Sequence, residues 1–135
     1  MGYMTDGLTF NALRAANLAR LPTFKNKRGE IVHKKPDGSD WSPEKWLQAV
    51  VGELGEYANW KKKEDRGDFE DPAEVKAHLA SELADVVTYL DILAYQLDID
   101  LGRATLEKFN EVSERVDSQV YLREDGSDYF LKTKD

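Results

Sequence analysis

The sequence predicts an all-α fold, a four-helix bundle unit with a long loop after its first helix and an irregular C-terminal tail. Three observations predict this fold. Apolar residues recur at helical spacing in four segments, proline follows a capping residue at the start of two of them, and no segment before the tail alternates convincingly as a strand does. The 135 residues suit a single domain over 1–135. Its core is expected over about residues 8–120, followed by a tail over 121–135.

The first helix is expected over about Leu8 to Arg20, where apolar residues recur at helical spacing and Pro22 then ends the pattern. The connector from Leu21 to Trp41 is rich in turn-forming proline and glycine and carries more basic than acidic residues. Loops of this length are usually functional or disordered, so two interpretations stay open. The connector is either a solvated loop or a segment that faces a ligand.

The three later helices have clear start signals. Ser42 and Asp71 each precede a proline, and Asp100 precedes the fourth apolar pattern, so all three side chains are expected to cap a helix. The polar tail carries apolar islands around Asp125-Gly126, which predicts either a weak hairpin or a disordered arm. The helices are expected from Ser42-Pro43 to about Lys63, from Pro72 to about Leu97, and after Asp100 to about Val120.

The composition excludes several classes of function. The chain has no cysteine, which excludes disulfides, thiolate metal sites and cysteine nucleophiles and fits a reducing cytoplasm. A net charge of −7 argues against binding a nucleic-acid polymer, although a divalent cation can still join an acidic protein to an anionic ligand. We expect no membrane association and a cytoplasmic location, because no segment approaches the roughly 18 apolar residues of a span and the first six residues lack a secretion signal.

The third helix carries acids where an apolar surface is expected. Around Val86 its sequence is strongly apolar, and a helix of this kind is buried over most of its surface. Glu82 and Asp85 lie three residues apart, so they share one face at the edge of an apolar arc that includes Leu83 and Leu90. Asp91 lies roughly opposite Glu82 and is expected to face water.

The second helix repeats this pattern, because Glu53 and Glu56 also lie three residues apart within an apolar segment. If the two helices pack together, four carboxylates converge, and burying such charges unpaired costs several kcal/mol each. The acids are then protonated, paired with basic residues, or bound to a metal. Oxygen-only ligands select hard cations, of which Mg²⁺ is the usual one near phosphates and Mn²⁺ a substitute. The alternative is that the acids lie on solvated helix edges and form surface ion pairs.

The two acid pairs resemble a known motif. Gly52-Glu53-Leu54-Gly55-Glu56 and Glu82-Leu83-Ala84-Asp85 are similar to the ExxE and ExxD motifs of the MazG-like all-α nucleotide pyrophosphohydrolases, over about residues 41–116. The resemblance implies that Glu53, Glu56, Glu82 and Asp85 hold Mg²⁺. It also implies hydrolysis of nucleoside triphosphates to a monophosphate and pyrophosphate by a homodimer or homotetramer. One departure is that Gly52 replaces a glutamate found in many members.

The resemblance also implies substrate contacts. A basic residue of the fourth helix holds phosphate in the family, which points first to Lys108 and then to Asn110 and Arg115 in this chain. A nucleobase needs a flat apolar slot with a few polar groups. Trp41 and Tyr89 are candidates for this slot, whereas Trp46 and Trp60 fit the core better; Phe24 is a further candidate, with Asn17 and Asn26 as readers of the base edge.

The acids also suggest how water is activated. A glutamate that is not saturated by metal can orient or deprotonate the attacking water, and Glu53 and Glu56 are the two candidates. Two other functions stay open. The chain is either a non-catalytic helical oligomerisation module, in which the acids are solvated or ion-paired, or a hydrolase of another diphosphate-containing nucleotide.

Overall fold

The computed structural model describes residues 7–35 and 37–134, so the first six residues, in which no secretion signal is expected, lie outside the described part, as do Pro36 and Asp135. The chain divides into two compact units, one ending at Asp98 and one beginning at Ile99. The single domain over 1–135 stays a prediction. The described elements are α1 (Phe10–Arg20), a 3₁₀ helix (Leu21–Thr23), α2 (Pro43–Asp65), α3 (Pro72–Gln96), α4 (Leu101–Arg115), β1 (Val120–Leu122) and β2 (Tyr129–Leu131).

The predicted all-α class is confirmed, and most helix starts follow the capping signals. The side chain of Asp71 accepts a hydrogen bond from the backbone of Ala73, and that of Asp100 accepts one from Arg103. The prediction for Ser42 was wrong in one respect: Ser42 occupies the cap position of α2, but its side chain makes no capping hydrogen bond. The first helix ends at Arg20 as expected, and the chain continues through Pro22 as a 3₁₀ turn.

The connector after α1 is folded by backbone pairing. Isolated antiparallel bridges join Lys25 to Ile31 and Lys34 to Asp40, and the backbone N–H of Trp41 donates to the carbonyl of His33 at 2.7 Å. These bonds satisfy backbone polar groups that a structureless loop would leave to water. The connector therefore holds its side chains in defined positions beside the helices.

The core of the first unit lies where α3 packs against α2 and α1. Trp46 and Val50 of α2 are buried, as are Val75, Ile92 and Ala94 of α3. Leu83 and Leu90, which were expected in the buried arc of α3, are 48% and 38% exposed. The expected buried arc of α3 was therefore wrong in part, because helical period does not show which side of a helix its neighbours cover.

Asp91 contradicts the expectation that it faces water, because only 1% of it is exposed. The guanidinium Nε of Arg14 lies 3.1 Å from its carboxylate, and the amide of Asn17 donates to the same group at 3.0 Å. That amide also donates to the carbonyl of Thr88 at 3.3 Å. Since α1 covers the side of α3 that was expected to meet solvent, this polar network joins the two helices.

The second unit combines α4 with a short hairpin. Tyr121 of β1 pairs with Phe130 of β2 in an antiparallel register, and Gly126 forms the turn with a φ of +72° that favours glycine. The hairpin alternative for the tail is therefore correct, whereas α4 ends at Arg115 and not near Val120, which lies in β1. None of the described helices is both long and apolar enough to cross a membrane.

Candidate active site

Three of the four predicted metal ligands converge between α2 and α3. Glu53 of α2 and Glu82 and Asp85 of α3 each offer one carboxylate oxygen, and these oxygens lie within 4.8 Å of one another. All three residues are partly buried. The three-residue spacing places Glu82 and Asp85 on one face of α3, and packing of α2 on α3 brings Glu53 to the same place. We refer to these three residues as the acid cluster.

The carboxyl groups of the acid cluster lie close enough to repel one another when they are ionised. The hydrogen bond with Glu82 is the largest cause that raises the pKa of Glu53, to about 7, and burial and the charges of Asp85, Glu82 and Glu56 raise it further. The carboxyl group of Glu53 therefore keeps a proton to higher pH than an ordinary glutamate does. A divalent cation can take the place of that proton and offset most of the negative charge of the three carboxylates, so the donor set fits a hard cation such as Mg²⁺.

Glu56 stands apart from the other predicted ligands. It lies one turn beyond Glu53 on α2, is exposed, and does not belong to the group of three oxygens. Its charge still contributes to the raised pKa of Glu53, so the two carboxylates interact through space. Its role as the fourth metal ligand stays a prediction.

A cavity of about 340 Å³ adjoins the acid cluster, and Glu53 and Asp85 form part of its wall. Aromatic rings form another part of the wall: the ring of Trp46 lies 5.0 Å from that of Trp41 and 6.2 Å from that of Tyr89. The volume falls in the lower range of pockets that bind small molecules. The lining residues contributed by the 3₁₀ helix, the connector and the helices also include Leu21, Phe24, Val32, Ala49, Thr88 and Ile92.

The structure places some of the predicted base-contacting residues in the cavity lining and others elsewhere. Trp41, Tyr89 and Phe24 line the cavity. Trp46 is 4% exposed, so it is a core residue as expected, yet it also lines the cavity.

The remaining candidates have other partners. Trp60 stacks on His78 with ring centroids 3.7 Å apart and is not a lining residue. Asn17 belongs to the Asp91 network, and the side chain of Asn26 accepts hydrogen bonds from the backbone of Arg28 and Glu30 in a turn of the connector.

Two cavity residues were missed by sequence reasoning. His33 of the connector is buried against Trp46, and burial lowers its pKa, which favours the neutral imidazole. Within the described residues, neither His33 Nδ1 nor Trp46 Nε1 has a hydrogen-bond partner. Arg20, the last residue of α1, also lines the cavity. No periodic signal identifies either residue, because the position of Arg20 depends on how α1 packs and that of His33 on how the connector folds.

The three predicted phosphate-binding residues lie on α4, in the second unit. Lys108 is exposed and pairs with Glu111 at 2.9 Å. The amide of Asn110 donates to the carbonyl of Leu122 at 3.0 Å and accepts from its N–H at 2.8 Å, so Asn110 fastens β1 to α4. Arg115 is exposed in the last turn of the helix. Their contacts with substrate stay predictions.

Comparison with known proteins supports the resemblance. No family model matches the chain. It is 36% identical over 83 residues to mouse (Mus musculus) dCTP pyrophosphatase 1, covering 56% of this chain and 49% of the relative. The rat (Rattus norvegicus) protein of the same name gives the same identity and coverage, and the cattle (Bos taurus) protein is 37% identical over 78 residues, covering 53% and 46%. The chain thus spans about half the length of the curated relatives it matches. The similarity confirms the predicted resemblance to the MazG-like all-α nucleotide pyrophosphohydrolases.

Proposed function

We propose that this protein hydrolyses (deoxy)nucleoside triphosphates to a nucleoside monophosphate and pyrophosphate in a Mg²⁺-dependent reaction. One observation carries the proposal: Glu53 and Asp85 belong both to the acid cluster and to the wall of the aromatic cavity. A nucleobase between aromatic rings therefore has its phosphates beside carboxylates suited to a hard cation. Because the curated relatives are named dCTP pyrophosphatase 1, dCTP is the first substrate to test.

The acid cluster holds the metal in this proposal, with Glu56 as the fourth ligand and Mn²⁺ as a substitute for Mg²⁺. The bound metal neutralises phosphate charge and lowers the pKa of water. Trp41 and Tyr89 flank the base and keep bulk water from one side of the site. Lys108, Asn110 and Arg115 are carried over from the resemblance as phosphate contacts.

The reaction itself asks little covalent chemistry of the protein, because phosphoryl transfer depends mainly on positioning and charge neutralisation. Glu53 or Glu56 accepts a proton from water as the water oxygen bonds to the α phosphorus. The P–O bond between the α and β phosphates breaks, and pyrophosphate leaves with the bridging oxygen. The glutamate then returns its proton to solvent.

The experiment is a panel of canonical and modified nucleoside triphosphates, including dCTP, assayed for pyrophosphate release with and without Mg²⁺. Glu82→Gln and Asp85→Asn are expected to lose activity. Glu44→Gln is the matched control, because Glu44 is an exposed acid in the first turn of α2. If wild-type protein cleaves no nucleotide, the proposal fails and the oligomerisation module is favoured. If both variants keep full activity, the metal site is wrong.

A homodimer or homotetramer is part of the proposal, and exposed apolar residues of the first unit support it. Leu47, Val51 and Leu54 follow one face of α2 at helical spacing, and all three are about half exposed. Large apolar patches of this kind usually mark an interface. Light scattering coupled to gel filtration tests it, and a mass equal to one chain of 15.4 kDa contradicts it. The cytoplasmic location stays a prediction.

A further inference from the structure

Among the described residues that line the cavity beside the acid cluster, one is a cation of fixed charge, Arg20 at the end of α1. The guanidinium lies over the ring of Phe24, 5.3 Å from its centroid, and both residues line the cavity. Within residues 7–35 and 37–134, no carboxylate forms an ion pair with it. Arg20 therefore faces the same space as Glu53 and Asp85 without being neutralised by either.

The pKa of Tyr89 is influenced by both the acids and the cation of this cavity. Burial raises the pKa of Tyr89 most, the charges of Asp85 and Glu53 raise it further, and the charge of Arg20 opposes them. Tyr89 is thus within electrostatic reach of both the acids and the cation. The lining thus contains carboxylates that suit a metal ion and a guanidinium that suits an anion.

Three other basic residues of the first unit are engaged by carboxylates, and none of them lines the cavity. Arg14 is held by the buried carboxylate of Asp91, Arg28 pairs with Glu30 at 2.8 Å, and Lys34 pairs with Asp40. His33, the other basic side chain of the lining, is kept neutral by burial. Arg20 therefore carries the positive charge available to a ligand in this cavity.

We propose that Arg20 binds phosphate oxygens of the substrate's triphosphate, a role that rests on the proposed function and was not expected from the sequence. A triphosphate bound to a divalent cation at the acid cluster still carries negative charge on its outer oxygens. The planar guanidinium presents several N–H donors in a geometry that matches phosphate, and its charge does not depend on pH near neutrality. The ring of Phe24 holds the guanidinium in place by a cation–π contact.

The test compares the binding of two ligands that differ in their phosphates. Full-length wild-type, Arg20→Ala and Arg20→Lys proteins are titrated with the non-hydrolysable α,β-imido analogue of dCTP and with deoxycytidine, both in Mg²⁺. Quenching of tryptophan fluorescence reports occupancy, because Trp41 and Trp46 line the cavity. Arg28→Ala is the matched control, since Arg28 lies in the same unit, is 81% exposed, and is not a lining residue.

Arg20→Ala is expected to raise the Kd of the triphosphate analogue by roughly 10- to 100-fold, the range for hydrogen bonds to charged groups. The Kd of deoxycytidine should change little, Arg20→Lys should recover part of the loss, and Arg28→Ala should match wild type. Equal losses for both ligands indicate a contact with the base or a structural role and overturn the proposal, as does an unchanged Kd or a wild-type protein that does not bind the analogue. Hydrolysis of the panel of nucleoside triphosphates by wild type is measured in parallel. Failure of hydrolysis with phosphate-dependent binding intact refutes the proposed activity but not the role of Arg20.

Discussion

The carboxyl groups of Glu53 and Glu82 share a hydrogen bond between α2 and α3, although each is negatively charged in water at neutral pH. This hydrogen bond, together with burial and the neighbouring carboxylates, raises the pKa of Glu53 from 4.5 to about 7, so Glu53 keeps its proton to higher pH than a free glutamate does. Carboxylates this close repel one another once they are ionised, and a divalent cation can relieve that repulsion.

This relationship predicts how the stability of the metal-free protein depends on pH. The folded state holds its proton to about pH 7, whereas unfolded Glu53 loses it near pH 4.5. The folded state therefore binds more protons between these values, so the free energy of unfolding falls as pH rises through this window. Thermal melts in a chelator at pH 5 and pH 8 should show this fall for wild type. The fall should be smaller in Glu53→Gln, and Glu44→Gln should behave as wild type; equal falls in all three contradict the assignment.

Metal binding is expected to raise the thermal stability of the protein at pH 8. Mg²⁺ or Mn²⁺ should raise the melting temperature, because a ligand at 100 times its Kd stabilises the folded state by about 2.7 kcal/mol. The rise should vanish in Glu82→Gln and Asp85→Asn. Glu56→Gln tests the fourth ligand, which the sequence predicts but the group of three oxygens does not include. A full metal response in Glu56→Gln removes that residue from the ligand set, and no response in wild type refutes the metal site.

The Asp91 network predicts a large effect on stability without a direct effect on metal binding. Asp91→Ala leaves Arg14 without its buried partner, and breaking such a pair typically costs about 3–5 kcal/mol. Urea unfolding should show this loss in Asp91→Ala, whereas Glu70→Ala, which removes an exposed acid, should match wild type. A loss below about 1 kcal/mol means that Asp91 is not held in the buried pair.

Asn110 and Lys108 of α4 are expected to have different roles, one in holding β1 and the other in contacting phosphate. Asn110→Ala removes both hydrogen bonds to Leu122, so the amide of Leu122 should exchange with solvent faster by about 10-fold or more. Lys108→Ala should leave this exchange unchanged and should raise the KM for the triphosphate if the resemblance applies. Hydrogen exchange by NMR measures the first effect and steady-state kinetics the second. Unchanged exchange in Asn110→Ala contradicts its structural role, and an unchanged KM in Lys108→Ala excludes that residue as a phosphate contact.

The amino-acid sequence determined the four helices, most of their caps and the acids of the site, because these depend on local signals. Period identifies the face that Glu82 and Asp85 share, and a residue such as Asp71 caps the helix that follows it whatever lies nearby. Only the tertiary structure decided what covers each face. It buried Asp91 under α1, left Leu83 and Leu90 exposed, and placed Glu56 apart from the acid cluster. It also brought Arg20, at the end of α1, to the same cavity as His33, which lies on a connector whose backbone bridges no periodic pattern encodes. Helical spacing fixes which residues point the same way, whereas burial depends on packing between segments distant in sequence.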